Sequence, residues 1–567
     1  MTKSESATLL SDACTERGWI SWRTTAALTL FGLVWLAPFL GASRSVSYHE
    51  MIFAQPAREM LATGDWLLPR VAGVPNNHKP PLAHWLIALA MLVTGSQSEW
   101  VVRLPSVAAA ITTALLMAGL ATRWYGARAG LLAGMIQLTT YYLLRFGKLA
   151  DSDMLLCATV CGALVCFAVS HVDSPHGVAR SPWLARAFFL AAGLSFLVKG
   201  PLGSVFIFGA VAMYLAWSRR WPQRWFFLDP AGVVLYLLLV ALWPYAAYRA
   251  QPDILDHWLL HNVGRFQGEL RGFKHPLYYV YSLPAFMLPW SPLAAWGGYW
   301  CWRQPDRWRG FGRLVVCWLV PGLLIISASA FKRKHYALPL LPPLSVLAAI
   351  GMCQLWYARR IVETRLRVVL VATSIVAVAI VAVAIAGSDL PSPAVLATTL
   401  VLVTTGILAA LWLRDRAAYA PGLGLLFASG WLLFVSVEGV VAPHYDSYRS
   451  QRELAQRVNH QHRHDAPLYL VHLPENQVTY YLQGALVRID KEEPFVEHLV
   501  KQASASATAL VPAYIAERLR RYGEVQKLDR CETIESHTPP RAQLTCIHFR
   551  PSEKQVAHLV KSAPQAR

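Results

Sequence analysis

Two carboxylates spaced two residues apart, Asp151 and Asp153, stand where a long apolar run begins, and a third, Glu50, follows His49 in a polar stretch. A carboxylate at a membrane boundary is costly unless it is solvated, paired or metal-bound. Such a group can act as a general base or as the counter-charge to a cationic transition state. Asp151 or Asp153 could equally cap the helix that starts there. Cations are spread through the same part of the pattern: Arg58, Lys79, Arg145 with Lys148, Lys199, Arg265, and the run Lys332-Arg333-Lys334 before Tyr336. Any one of them could lay its stem along lipid and lift its charge to the headgroups. Together they suit a pocket for an anionic headgroup, because Arg and Lys satisfy phosphate oxygens with charge-assisted hydrogen bonds. His78 and His275 flank the same stretches and are candidate ligands for a divalent metal such as zinc, although two histidines are an incomplete ligand set. No CxxC motif occurs, and no nucleotide or organic cofactor is expected.

These residues punctuate a series of apolar stretches, each near the length of about 20 residues needed to cross a membrane. Thirteen spans are expected, roughly 24–42, 103–122, 129–146, 153–171, 183–198, 201–217, 230–248, 277–298, 313–330, 337–357, 368–387, 394–413 and 421–442. Residues 81–94 follow Pro80-Pro81 and cover about half the thickness, so they read as an interfacial helix. The first span lacks a small-residue cleavage site and is expected to be retained. Basic loops orient the spans. With residues 1–23 in the cytoplasm, every inner loop is basic: Arg123 and Arg128; Arg180; Arg219, Arg220 and Arg224; Arg303, Arg307, Arg309 and Arg313; Arg359, Arg360, Arg365 and Arg367; Arg414 and Arg416. The loops 43–102 and 249–276 and the tail 443–567 then face the periplasm, on the side that carries the candidate site residues. Glu438, inside the last span, is expected to make a buried polar contact.

The tail alternates helical and strand-like stretches. Helices are expected at 447–461, 494–503 and 515–522, and strands at 467–473, 508–511 and 544–549, giving a small α/β domain. Cys531 and Cys546 are the only cysteines of the nine that fall in this polar region, and their pairing is left open by spacing alone. Of the 567 residues, 55% are hydrophobic and 15% charged, and mean hydropathy is +0.36, which excludes disorder, collagen and a compact soluble enzyme. The excess of 52 basic over 33 acidic residues belongs to cytoplasmic loops and lipid headgroups, and no basic module interleaved with aromatics points to nucleic acid.

The order of these features resembles a known family. REMLATGDWLLPRVAGVPNNHKPPLAHW (58–85) is similar to the first periplasmic loop of lipid-to-lipid glycosyltransferases, the ArnT-like aminoarabinose transferases of the protein mannosyltransferase superfamily. Arg103-Leu104-Pro105-Ser106 resembles their second-span opening, and ADSDMLL (150–156) their second acidic motif. Lys199-Gly200-Pro201, Arg265-Phe266 and KRKHYALPLLPPL (332–344) follow in the family's order. The resemblance covers 24–442 in motifs and the tail in architecture only. It implies a polytopic α-helical membrane protein of GT-C fold with about 13 transmembrane helices and a small C-terminal periplasmic α/β domain.

By the same resemblance, Lys79 and Arg58 match residues associated with the carrier phosphate, Arg265 and Tyr336 match positions that contact a polyprenyl phosphate, and Asp153 matches the second acidic position. Lys199 and Lys332 join the carrier-phosphate set, and Asp151 the acidic one. The chain departs from the family twice. The Asp-Glu pair of the first loop is His49-Glu50 here, which leaves Glu50 to carry any acidic role, and the metal-binding glutamate before the lysine is His78. The implied function is transfer of a sugar, by default 4-amino-4-deoxy-L-arabinose, from a polyprenyl phosphate donor to lipid A or another envelope acceptor, by a monomer in the bacterial inner membrane. Transfer of another pentose or hexose to a different glycan or protein is the alternative. A transporter for an anionic lipid is disfavoured, because the charges cluster on one face and no repeat halves appear.

Overall fold

The computed structural model describes residues 18–41, 44–76, 79–172, 181–219, 224–254, 274–305, 308–330, 332–357, 393–416, 418–462, 466–473, 477–502, 506–532 and 543–552. Their described parts form two compact units. One comprises the chain up to Ser43, Asn77–Leu86 and Arg103–His444; the other comprises Arg44–Asn76, Ile87–Val102 and the chain from Tyr445.

The first unit is helical, as lipid demands of any backbone without a closed barrel. Seven described helices are long and apolar enough to cross a membrane: Glu99–Tyr125, Ser152–His171, Pro182–Lys199, Pro201–Ser218, Pro230–Ala250, Arg309–Ala328 and Tyr419–His444. An eighth is added if Lys334–Leu340 and Pro342–Gln354, inclined at 58°, count as one bent span. The first expected span is the shorter helix Trp22–Leu36, and residues 81–94 form the helix Leu82–Thr94. The stretch expected at 394–413 is the helix Pro393–Asp415, and 368–387 lies outside the described residues.

Two expected spans are broken. The stretch 129–146 is α1 (Ala127–Thr139) and α2 (Tyr141–Gly147), parted at Thr140, whose ψ of 123° leaves the helical region. The amide of Tyr141, deprived of an intrahelical acceptor, donates to the carbonyl of Leu288 at 2.9 Å. The stretch 277–298 is likewise Tyr278–Phe286 and Ser291–Trp302, parted around Pro289, which has no amide to continue a helix. The second of these helices crosses Pro342–Tyr357 at small residues. A Cβ on Gly297 would lie 1.9 Å from the Leu347 carbonyl oxygen, and one on Gly351 would lie 2.2 Å from that of Leu293.

The second unit holds a five-stranded mixed sheet. Number β1 (Leu468–Val471), β2 (Leu486–Ile489), β3 (Ala507–Pro512), β4 (Gly523–Glu532) and β5 (Leu544–Pro551); the order is then β2-β1-β3-β5-β4. β1 runs parallel to both β2 and β3, and β5 is antiparallel to β3 and β4. Alternation gives the sheet two buried faces. Leu468 and Leu470 pack with Leu454, Val458 and Leu544, while Tyr469 and Val471 pack with Phe495, Ile515 and Phe549. Cys546 is buried on the first face; the side chain of Cys531 lies outside the described residues. The same unit contains the helix Tyr48–Thr63 and the short hairpin Arg70–Val71/Val74–Pro75.

Candidate active site

Two helix ends and a short 3-10 turn bring the acidic motif together with distant cations. Helix α3 (Ser152–His171) starts on Asp151, whose extended backbone and side chain make it the N-cap: its carboxylate accepts the amide of Ser152 at 2.6 Å. Ser106 Oγ, in the sequence motif that opens the preceding long helix, donates to the Asp151 carbonyl at 3.4 Å. Asp153 is two residues further on, in the first turn, and almost fully buried.

Helix α4 (Pro182–Lys199) ends on Lys199, and Gly200 takes φ 71° and ψ −150°, a conformation closed to ordinary side chains. Pro201 can therefore begin the next helix at once. This hairpin leaves Lys199 buried, its Nζ paired with Asp153 Oδ1; the side chains are 3% and 2% exposed. A pair so desolvated must be complementary to persist, since either partner alone would be a buried, uncompensated charge. Burial, with the charge of Asp153 adding to it, pushes the Asp151 carboxyl above its ordinary value.

The third contributor is the 3-10 turn Lys334–Leu340. His335 Nδ1 stands 3.9 Å from Asp153 Oδ2, its side chain 23% exposed, and Phe146 of α2 meets its ring edge to face at 6.0 Å. Tyr336 places its ring 5.0 Å from Lys199 Nζ. The turn is tied down by Tyr279, which donates from its hydroxyl to the Arg333 carbonyl at 2.8 Å. Lys332 is buried and donates to the Ser329 carbonyl at 2.5 Å. The result is a half-open polar cluster of two carboxyls, one ammonium, one imidazole and one phenol.

Several of the remaining sequence candidates have other partners. Lys79 is half-buried in the helical unit. Lys199, expected at a phosphate, is held by Asp153. Arg58, expected there too, lies in the second unit and donates from Nη1 to the carbonyls of Tyr480 at 2.9 Å and Leu482 at 3.0 Å. Glu50, in the same unit, is fully buried and closes a capping box, its Oε2 accepting from Ser47 N at 3.0 Å and Oγ at 2.9 Å. Glu438 pairs with Lys148 at 3.3 Å, the partly buried contact expected of it.

Arg265 and His78 lie outside the described residues. His275 is exposed, and its Nδ1 accepts the amide of Leu277 at 3.2 Å, which in the neutral ring puts the proton on Nε2 and leaves no lone pair for a metal while that bond is made. Among the described residues no three His, Cys, Asp or Glu side chains are grouped to hold a metal ion. The residue that sequence reasoning passed over is His335. Its signal was present in KRKHY, masked by the basic residues before it.

A helical fold of membrane type with an acid–base cluster at its helix ends is what this geometry defines, and the chain is similar to known proteins of that kind. Residues 78–244 match the family of dolichyl-phosphate-mannose-protein mannosyltransferases. The chain is 20% identical to ArnT of Cupriavidus metallidurans, solved bound to undecaprenyl phosphate, with a TM-score of 0.76 over 95% of this chain and 98% of that one. In sequence it is similar to undecaprenyl phosphate-alpha-4-amino-4-deoxy-L-arabinose arabinosyl transferases. The Erwinia tasmaniensis protein is 29% identical over 53% of this chain and 54% of its own length. That of Pectobacterium carotovorum is 28% identical over 74% of this chain and 71% of its own length. The chain thus aligns with about half the length of the first of these relatives and somewhat more of the second. The chain is thus similar to these arabinosyl transferases in sequence and to ArnT in fold, in keeping with its motifs.

Proposed function

We propose that the chain is an integral-membrane glycosyltransferase that moves 4-amino-4-deoxy-L-arabinose from undecaprenyl phosphate to a phosphate of lipid A. The observation that carries this reading is the buried Asp153–Lys199 pair, flanked by the part-exposed His335 and Tyr336, in a chain similar to aminoarabinose transferases.

An oxygen of the acceptor phosphate attacks the anomeric carbon. The bond from that carbon to the carrier phosphate oxygen breaks, and its electron pair leaves with the phosphate. One displacement inverts the anomeric centre. The acceptor is already anionic at neutral pH, so the reaction asks for positioning and charge rather than deprotonation. Lys79, Lys332, Arg265 and the Tyr336 hydroxyl are proposed to hold the departing phosphate, and Asp153 to face the cationic sugar. Lys199 keeps Asp153 ionised and in place. Asp151 fixes the first turn that carries it. Neither a nucleotide nor an organic cofactor is needed, because the carrier phosphate is itself the leaving group.

The proposed setting is the bacterial inner membrane, crossed thirteen times by a monomer with its N-terminus in the cytoplasm. The basic inner loops support this topology. The acid–base cluster and the sheet-bearing tail are then periplasmic, where lipid A phosphates are presented. Mass spectrometry of lipid A from cells with and without the gene tests the reading. A mass increment of one aminopentose that requires both the gene and Asp153 supports it; an unchanged lipid A with altered glycan or protein instead would replace the acceptor.

A further inference from the structure

We infer that His335 is a positioning residue that gates Asp153 by protonation, admitting an amino-sugar donor when neutral and competing with it when charged. The inference rests on the aminoarabinose reading above and deepens it.

The geometry assigns the two oxygens of Asp153 different neighbours. Oδ1 is taken by Lys199 Nζ, deep in the helical unit. Oδ2 looks towards His335 Nδ1 at 3.9 Å, beyond a normal hydrogen bond, and His335 is the group of this pair that solvent reaches. The ring cannot swing far: Phe146 bounds it on one side and Tyr336 packs against it at 5.0 Å. The other groups that titrate or carry charge around it are Asp151 and Asp153 from the start of α3, Lys199 from the end of α4, and Tyr279 from the helix Tyr278–Phe286. On its own segment they are Arg333, Lys334 and Tyr336. Among these, imidazole is the side chain that ordinarily titrates in the physiological range, and Asp151, raised by burial, is the other group that pH can reach there.

The charge count then gives the consequence. With His335 neutral, the one fixed cation at Asp153 is Lys199, and Oδ2, on the side of the part-exposed His335, is the oxygen a second cation would meet. A protonated sugar amine is such a cation, and the neutral imidazole can accept one of its hydrogens. With His335 protonated, the second cation is already present, and it repels the amine. The donor must then displace or deprotonate His335 to bind. This is competition for the ground-state complex, so it belongs in kcat/KM and is overcome at saturating donor.

Reconstituted enzyme assayed with undecaprenyl-phosphate aminoarabinose and lipid A from about pH 5.5 to 8 provides the test. Wild type should show kcat/KM falling roughly tenfold per pH unit on an acid limb within this range, while kcat stays level. His335→Gln, which keeps a hydrogen-bonding side chain of similar reach without the titration, should flatten that acid limb. His335→Lys should hold kcat/KM low throughout the range. An acid limb of unchanged position in His335→Gln, or a uniform loss of activity at every pH, would overturn the inference while leaving transfer itself established. Absence of transfer by wild type at any pH would instead refute the functional reading on which it rests.

Discussion

At the scale of single residues, the two acidic groups singled out by type alone turn out to have different work. Glu50 spends an oxygen on Ser47 and closes a capping box at full burial. Glutamine fills that position of a capping box equally well. Glu50→Gln should therefore melt within about 0.5 kcal/mol of wild type, whereas Glu50→Ala should lose about 1–2 kcal/mol with the cap. Transfer by Glu50→Gln should stay within about threefold of normal; a fall of about 10²-fold would return Glu50 to the chemistry. Asp153 is the opposite case. Asp153→Asn leaves Lys199 buried without its counter-charge, a loss on the order of 3–5 kcal/mol, and removes the proposed charge towards the sugar. Adding Lys199→Met to that variant should restore much of the stability and none of the transfer. Thermal denaturation beside turnover of the two proteins checks this, and recovery of both together would make the pair purely structural.

At the scale of elements, Arg58 gives the clearest test. Its Nη1 joins the helix Tyr48–Thr63 to the carbonyls of Tyr480 and Leu482. Arg58→Met should release that clamp and increase proteolysis of the sheet-bearing tail, seen as earlier cleavage between 474 and 486. Arg58→Lys should keep one of the two bonds and lie between. A rise in donor KM with unchanged proteolysis would instead put Arg58 at a phosphate. The elements were unequally legible. Long apolar runs announce helices because lipid leaves the backbone no other partner. The break at Thr140 has no such signal: no proline or glycine stands there, and it depends on Leu288, far along the chain, to receive the Tyr141 amide. In the tail, β1, β3 and β5 were readable as apolar runs. β2 (LVRI) and β4, with charged residues on an edge, were missed because edge strands bury less and advertise less. Asp151, Asp153 and Lys199 were each visible as charges at span ends. Their union was not, because Lys199 approaches Asp153 only through the packing of α3 on α4 and the turn at Gly200.

At the scale of the whole molecule, the proposed topology makes the polar cluster face the periplasm. The thirteen crossings proposed, being odd in number, would put the two termini on opposite sides. A reporter that matures only in the periplasm should be active when fused after residue 567 and silent when fused at residue 2; activity at both ends would change the parity. The central claim is chemical, however, and the decisive measurement is label transfer in proteoliposomes. Wild-type protein is reconstituted with undecaprenyl phosphate bearing labelled aminoarabinose and with unlabelled lipid A, and the lipids are separated after incubation. The account predicts label on lipid A, free undecaprenyl phosphate in equal amount, and a loss of about 10²-fold or more with Asp153→Asn. Label that crosses the bilayer while still attached to undecaprenyl phosphate, or transfer that Asp153→Asn supports at the wild-type rate, would contradict it.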